Sequence, residues 1–344
     1  MSVLVTTVPG LEDYVVMEVE ERMGTKVGHV YDRMSGRVLL EAGFPSMMTA
    51  RSFLASMRTI ENAYYLLDRG EVGPLMEDLE GRAKSLRLEG LLGIATSETS
   101  VAVEAVRAGN HEYASTDVAR VVGDAVISFL ESRGINALVN LSDPDVVIGA
   151  HVLGRDFMVG VKITRSTARD REYRVRGHPA SLNPVIAFSM IMMASPDEGD
   201  TICDLTCGGG TIPAEAAHFW RRVRSVCIDV NPDYCDAAGS NLLAAGGDFD
   251  LAVGDSTTPM LRPLSCDHVI FNPPYGIRMK TEKPIRVFYK ELIENALRAA
   301  RKTVVVITGR RRLVVGALGR EASISERRIE QGGMYSSIFT IRKK

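Results

Sequence analysis

Three short segments of this sequence bring together residue types that could do chemistry. The first is Asp204-Leu205-Thr206-Cys207-Gly208-Gly209-Gly210-Thr211, followed by Ile212-Pro213. Three consecutive glycines let the backbone come close to a ligand, and the helix N-terminus that follows attracts a carboxylate or phosphate. Pro213 falls in the first helical turn, where a missing N–H costs nothing. The segment is neither G-x-G-x-x-G nor a P-loop, since no Gly-Lys-Ser/Thr follows, and a plain tight turn is the competing reading. The second is Val226-Cys227-Ile228-Asp229-Val230-Asn231, an apolar strand ending in an acid about twenty residues after the glycines. In a doubly wound fold that place meets ribose hydroxyls; alternatively Asp229 caps the helix that Pro232 starts. Val253-Gly254-Asp255-Ser256 ends a later strand in the same way. There Asp255 either accepts from an adenine amino group or is a solvated turn residue.

The third segment is Asp267-His268-Val269-Ile270-Phe271-Asn272-Pro273-Pro274-Tyr275. Strand residues run directly into a turn whose prolines remove backbone donors, while Asn272 adds a side-chain acceptor. Convergent acceptors beside an aromatic face suit the exocyclic amine of a flat base. A proline-rich turn without function is the alternative.

The elements that must position these groups follow from periodicity. Residues 1–65 read as strand, helix, strand, strand, helix, with Pro9-Gly10 ending the first strand and Leu11, Val15, Val19 and Met23 forming a helical stripe. In residues 66–165, Val101–Val106 alternates as a strand. Ser115-Thr116-Asp117 then caps a helix faced by Val118, Val122 and Val126, and strands are expected at 138–141, 146–152 and 157–163. A charged connector, 166–181, leads to helices and strands that alternate from 182 to Gly309, the pattern of a parallel doubly wound sheet. Segments 324–331 and 336–342 around Gly332-Gly333 read as an antiparallel hairpin. Trp220 and the methionines are assigned to cores.

Composition narrows the setting. At 344 residues the chain is long enough for two or three compact units, and 45% apolar with 24% charged residues excludes disorder. The longest apolar stretch, Val185–Ala194, is about half of what a bilayer span needs. The first residues lack a basic n-region, so no signal peptide is expected. Five cysteines, with no C-x-x-C pair, argue against structural zinc and against a disulfide framework; reduced thiols and a cytoplasmic location are expected.

Taken together, the glycine segment, Asp229, Gly254-Asp255 and Asn272-Pro273-Pro274-Tyr275 resemble the class I S-adenosylmethionine-dependent amino-methyltransferases that act on nucleic-acid bases. Residues 107–115, 121–126 and 139–145 resemble a THUMP RNA-binding domain. Residues 171–184 resemble the segment joining THUMP to the catalytic domain in the tRNA guanine-N2-methyltransferases. The resemblance spans nearly the whole chain. It implies a ferredoxin-like domain (1–65), a THUMP domain (66–165), a linker (166–181) and an α/β Rossmann-like methyltransferase domain (182–344) with a mostly parallel sheet and an antiparallel final hairpin.

The resemblance also implies S-adenosylmethionine as cofactor, held by Ser181, Leu182, His178, Pro179 and Ala180 from the linker. Asp204, Cys207, Gly208, Gly209, Gly210 and Thr211 join them from the loop, with Asp229, Val230, Asp255, Ser256 and Asn272 at the other strand ends. Asn272, Pro273, Pro274 and Tyr275 are the expected catalytic residues. Arg278, Arg174, Arg176 and His111 are candidates for substrate contact, although Arg278 reads equally as a surface ion-pair residue and His111 as a structural histidine. Relatives more often have Pro at Leu205 and Ser or Thr at Gly209. Asn272 stands where the branch modifying position 10 more often has Asp, which points to guanosine 6 in the tRNA acceptor stem. The expected partner is tRNA, through its acceptor stem and 3′ end, with a monomeric protein and no metal or membrane. Position 10, ribosomal RNA, and a non-catalytic RNA-binding protein with a degenerate methyltransferase domain are the alternatives.

The formal net charge of −2 hides a division: −7 over residues 1–165 and +5 over residues 166–344. Basic residues gather in the connector, at Arg221-Arg222-Arg224 and at Arg310-Arg311-Arg312. This excludes indiscriminate nucleic-acid binding but not recognition of one RNA shape.

Overall fold

A computed structural model describes residues 2–164, 170–177, 181–219, 222–274, 284–318 and 322–343. The first elements are β1 (Val3–Thr6), α1 (Glu12–Met23), β2 (Gly28–Val30), β3 (Arg37–Glu41), α2 (Met47–Leu54) and β4 (Asn62–Glu71). After them come α3 (Met76–Lys84), β5 (Ser100–Ala108), α4 (Ser115–Ser132), β6 (Leu138–Val139), β7 (Val146–Leu153) and β8 (Asp156–Lys162). All eight strands form one sheet, in the order β2-β3-β1-β4-β8-β7-β5-β6. Strand β4 runs unbroken across the expected boundary at residue 65, so the ferredoxin-like and THUMP-like pieces share a sheet. It pairs with β1 on one side and β8 on the other.

Neither β4 nor α3 is anticipated by the sequence reading. The strand carries Asp68, Arg69, Gly70 and Glu71, which blur any alternation, and Asp68 is buried only because Arg82 and Arg87 pair with it. At α4 the capping is done by Asp117, whose carboxylate accepts the Ala114 amide at 2.8 Å, with Ala114 rather than Ser115 at the N-cap position.

The second half comprises α5 (Pro184–Ala194), β9 (Thr201–Asp204), α6 (Thr211–Phe219), β10 (Arg224–Asp229), α7 (Pro232–Ala245) and β11 (Asp248–Val253). It continues with β12 (Cys266–Phe271), α8 (Ile285–Ala299), β13 (Ala300–Thr308), α9 (Arg311–Ala317), β14 (Ala322–Gln331) and β15 (Met334–Lys343). The sheet order is β11-β10-β9-β12-β13-β15-β14, parallel from β11 through β13 and antiparallel in the terminal hairpin. This is the expected doubly wound sheet. Strand order reverses between β9 and β12, and ligands in such sheets bind at the carboxyl ends of the strands beside that switch.

Every residue of α5 is buried. A helix apolar all round needs cover on both sides. One side packs on the sheet through Val305 and Ile307, and Val8 and Leu11 of the N-terminal half belong to the same core. The turn that ends β1 docks there: the Glu330 amide donates to the Pro9 carbonyl, and Arg327 forms a two-pronged ion pair with Asp13. Gly10 has φ +99°, and a Cβ there would collide with the Arg328 carbonyl, so this close approach requires glycine.

The cysteine expectation needs correction. Cys203 and Cys266 form a disulfide between neighbouring parallel strands, with a Cα–Cα distance of 6.1 Å across 63 residues of sequence. Counting and local spacing cannot detect this pair, because only the β9–β12 pairing brings the two side chains together. Cys207, Cys227 and Cys235 are free and buried. Among the described residues, no helix is long and apolar enough to cross a membrane, and no cluster of three or more His, Cys, Asp or Glu could hold a metal ion.

Candidate active site at the carboxyl edge of the parallel sheet

The glycine segment leaves the end of β9 and is held from three directions. The Cys207 amide donates to the Ile228 carbonyl (3.0 Å), the Gly208 amide donates to Asp229 Oδ2 (2.9 Å), and Asn241 Nδ2 donates to the Gly209 carbonyl (2.9 Å). Gly208 and Gly210 have φ of 51° and 75°, and a Cβ on Gly210 would press on Ala238 of α7. Both positions are left-handed, which explains the glycines there. Thr211 is buried at the start of α6.

Asp229 ends β10 and does not cap α7. Asn231 does that, accepting the Asp233 amide at 2.9 Å. The Asp229 carboxylate instead receives the Gly208 and Asn231 amides, tying the two strand ends together. Val230, beside it, is 61% exposed, an apolar surface on the same rim. Gly254 donates to the Asp229 carbonyl, which aligns the end of β11 with this rim. Asp255 is exposed, and its Oδ1 accepts from the Thr257 amide and hydroxyl. Ser256 is buried and donates to the Leu205 carbonyl (2.7 Å), so its hydroxyl braces the loop from below.

Asp204 is 2% exposed and accepts the Thr206 amide at 3.0 Å. Burial, reinforced by the nearby Asp229 charge, pushes its carboxyl up to about 8 despite that hydrogen bond. Thr206 Oγ1 is also buried without a partner among the described residues. A buried acid with a raised pKa and an orphaned hydroxyl thus stand together beside an open glycine turn, a pairing suited to a polar ligand group.

One strand over, β12 ends in Asn272-Pro273-Pro274. The pairing of Val269 with Cys203 places Asn272 level with Thr206, so the turn stands next to the glycine loop. Asn272 is half-buried and Pro273 buried. Tyr275 and Arg278, along with His178, Pro179 and Ala180, lie outside the described residues. Ser181 is exposed, and Leu182 packs against the α5 core.

Arg174 and Arg176 of the connector are tied to the glycine-loop region through hydrogen bonds. Arg174 donates to the Leu182 carbonyl (2.6 Å) and to Thr211 Oγ1 (3.2 Å), locking the connector to the start of α6. Asn241 exchanges two hydrogen bonds with the Arg176 backbone, while the Arg176 residue as a whole is exposed. Below them Glu215, fully buried on α6, meets Arg171 Nε (2.9 Å), the Tyr173 hydroxyl (2.8 Å) and Arg58 Nε (3.0 Å). Arg171 also donates to the Arg58 carbonyl. One carboxylate therefore ties the N-terminal half, the connector and the glycine-loop helix together. Burial pulls Arg58 down, with Glu215 opposing, and burial followed by the Glu215 charge pushes Tyr173 well up. Sequence reading missed Glu215, Asn241 and Arg58. A lone acid in an otherwise apolar helix start was a readable signal for Glu215; Arg58 offered none, because its partner lies 157 positions away.

His111 is not brought to this site by any described contact. It sits at the turn after β5, where its ring lies 2.7 Å from the Gly154 carbonyl and packs against Tyr113.

Comparison with known proteins agrees with this geometry. Residues 171–338 match the family described as RMKL-like, methyltransferase domain, and residues 76–162 match the THUMP domain. A tRNA (guanine(6)-N2)-methyltransferase of Archaeoglobus fulgidus is 32% identical over 97% of this chain and 90% of its own length. The crystal structure of TrmN from Thermus thermophilus superposes with a TM-score of 0.80, at 27% identity, over 100% of this chain and 99% of that one. A putative methyltransferase complexed with SAH shares the fold at a TM-score of 0.78 and 15% identity, covering 100% of this chain and 98% of that one.

Proposed function

The chain belongs to the THUMP-containing tRNA guanine-N2-methyltransferases, and from that premise we propose that it methylates the exocyclic N2 amine of guanosine 6 in the tRNA acceptor stem. The product is N2-methylguanosine. The observation that carries this reading is the placement of the Asn272-Pro273-Pro274 turn level with, and one strand away from, the glycine loop.

S-adenosylmethionine fits the residues present. Asp204 and the unpaired Thr206 hydroxyl suit its polar methionine end, the left-handed glycines let the loop approach it, and Asp229 and Val230 form a rim for ribose and adenine. Asp255 and the linker residues 178–182 complete the assigned set. When bound, this cofactor supplies an electrophilic methyl group on a sulfonium. An ammonium group next to Asp204 would draw its carboxyl back to the ionised form, since an opposite charge lowers a carboxyl pKa.

The amine of guanine is a poor nucleophile because its lone pair is delocalised into the ring. Asn272 Oδ1 and the Pro273 carbonyl are assigned as acceptors for its two N–H bonds. Holding both hydrogens out of the ring plane aims the lone pair at the methyl. The methylated nitrogen, made strongly acidic by its positive charge, then gives up one proton to water, so the contribution is orientation and electrostatics, not a strong base. Tyr275, next in sequence, is assigned as the stacking surface for a base turned out of its helix. The tRNA contacts of the THUMP region, a monomeric state and a cytoplasmic location belong to the same proposal. The acidic N-terminal half implies that THUMP recognises the shape of a tRNA end through a local patch.

Incubating the protein with unmodified tRNA and labelled S-adenosylmethionine, then mapping the labelled nucleoside, tests the reading. Label on N2 of guanosine 6 supports it. Label at another guanosine refutes the position alone; label on adenosine, or none on any RNA, refutes the activity.

A further inference from the structure

The proposed reaction leaves the far side of the Asn272 turn unused. There a cleft of about 300 Å³ opens, lined by Thr308, Arg311, Glu326, Arg328, Tyr335 and Ser337. The pairing of Phe271 with Val306 puts Thr308 level with Pro273, one strand further from the glycine loop. The cleft therefore lies on the same carboxyl edge as the turn. Its volume sits at the lower end of small-ligand clefts.

The chemistry of its walls is uneven. Arg311 is fixed by a two-pronged bond to Glu326, which also accepts from Ser337 Oγ, so that charge is compensated. Arg328 is different. Its guanidinium lies 3.9 Å above the centre of the Tyr335 ring, and among the described residues no carboxylate pairs with it. Tyr335 is 55% exposed, although tyrosine normally buries its ring when packing is its only role. A guanidinium stacked on an aromatic keeps its N–H fork free for a phosphate. An exposed aromatic next to a cation is the surface on which unpaired nucleic-acid bases stack. The neighbouring Arg312 is also exposed, so the rim is basic.

We propose that this cleft holds a nucleotide adjacent in the same RNA strand to the guanosine being methylated, with Arg328 on its phosphate and Tyr335 against its base. The cleft begins one strand, about 4.8 Å, from the Asn272 turn and extends across β15 to Arg328 on β14, so an RNA strand running from Asn272 across this edge reaches it. The proposal rests on the RNA-methylation reading, and it adds a second anchor that fixes which base reaches the turn.

The test compares Arg328→Gln, Tyr335→Ala and Tyr335→Phe with the parent protein. Three quantities are measured: KM for unmodified tRNA, KM for S-adenosylmethionine, and tRNA affinity by filter binding at several salt concentrations. Arg328→Gln and Tyr335→Ala are each expected to raise the tRNA KM about tenfold and leave the cofactor KM unchanged. Arg328→Gln alone should lower the salt slope, by about one phosphate contact. Tyr335→Phe should retain parental values. Parental tRNA constants in both Arg328→Gln and Tyr335→Ala overturn the proposal. So does a parallel worsening of cofactor and tRNA constants with a lowered Tm, which would make the stack a prop for the β14–β15 hairpin. Should the parent protein methylate no RNA, the functional reading fails separately, and filter binding of the same variants still decides whether the cleft holds RNA.

Discussion

Asp200 immediately precedes the short strand β9 and Asp204 ends it, and the protein treats them in opposite ways. At the amino end, burial raises the Asp200 carboxyl, but hydrogen bonds from Lys302, the Asp197 amide and His268 more than reverse this, and it is held below its ordinary value. Lys302 bridges Asp197 and Asp200 at 2.8 Å, and Arg301 lies 3.3 Å from Asp267. At the carboxyl end Asp204 has one amide donor and a like-charged neighbour, and it rises to about 8. At the amino edge the acids are ringed by cations, whereas at the carboxyl edge a buried acid has a single amide donor, beside an orphaned hydroxyl and a turn whose two prolines lack N–H groups. The carboxyl edge, where the acid is uncompensated, is the one to which the proposed cofactor site is assigned.

The contrast is open to attack at three points. The largest effect is expected from Asn272→Ala, which removes the acceptor assigned to the reacting amine. Methyl transfer should fall at least a hundredfold, with cofactor binding and Tm little changed. Substantial retained activity would end the role assigned to the turn.

Next in size is the pH response of Asp204. Its folded pKa lies above its unfolded one, so its stabilising contribution is complete below about pH 4 and is lost as pH rises through about 8. His268 works in the other direction. Burial lowers it despite its bond to Asp200, so its contribution is present above about 6.5 and is lost as pH falls below that value. Between about pH 6.5 and 8 the Asp204 contribution therefore stands clear of that of His268, with a slope of about 1.4 kcal/mol per pH unit for one proton. Denaturant unfolding of the cofactor-free protein should show stability declining across this window. Asp204→Asn should remove that decline. An unchanged slope would mean that Asp204 is already ionised.

The smallest effect is expected at the amino edge. Lys302→Ala should lower Tm slightly and leave the constants for tRNA and cofactor unaltered. Its pH signature is distinct. Asp200 contributes above its unfolded pKa of about 4 and loses that contribution as pH falls through its lower folded value, so acid, not mild alkali, should expose the difference. A change in tRNA KM on losing Lys302 would break the division between the two edges.

How far the sequence could be read depended on how local each determinant was. The glycine loop, Asp229 and the Asn272 turn were legible because each is a strand end followed by a helix start or a proline pair, a pattern complete within about ten residues. The parallel sheet and terminal hairpin were legible for the same reason. Strand β4 was not, since its buried Asp68 is satisfied by Arg82 and Arg87 from elsewhere in the chain. The bracing role of Arg174 was not legible either, because a run of arginines is locally indistinguishable from a basic patch. Its carbonyl and hydroxyl partners, Leu182 and Thr211, become neighbours only once α6 packs beneath the connector.

By itself, then, the sequence determined the chemistry on offer: which groups stand at strand ends, and in what order those strands come. Tertiary structure alone decided which of them remain available. The Cys203–Cys266 bond, the Glu215 junction with Arg58, Arg171 and Tyr173, and the Arg328–Tyr335 stack all join residues that are distant or unpatterned in sequence. A side chain's pKa, burial and freedom to bind are set by neighbours in space, and those neighbours are fixed by sheet register and helix packing.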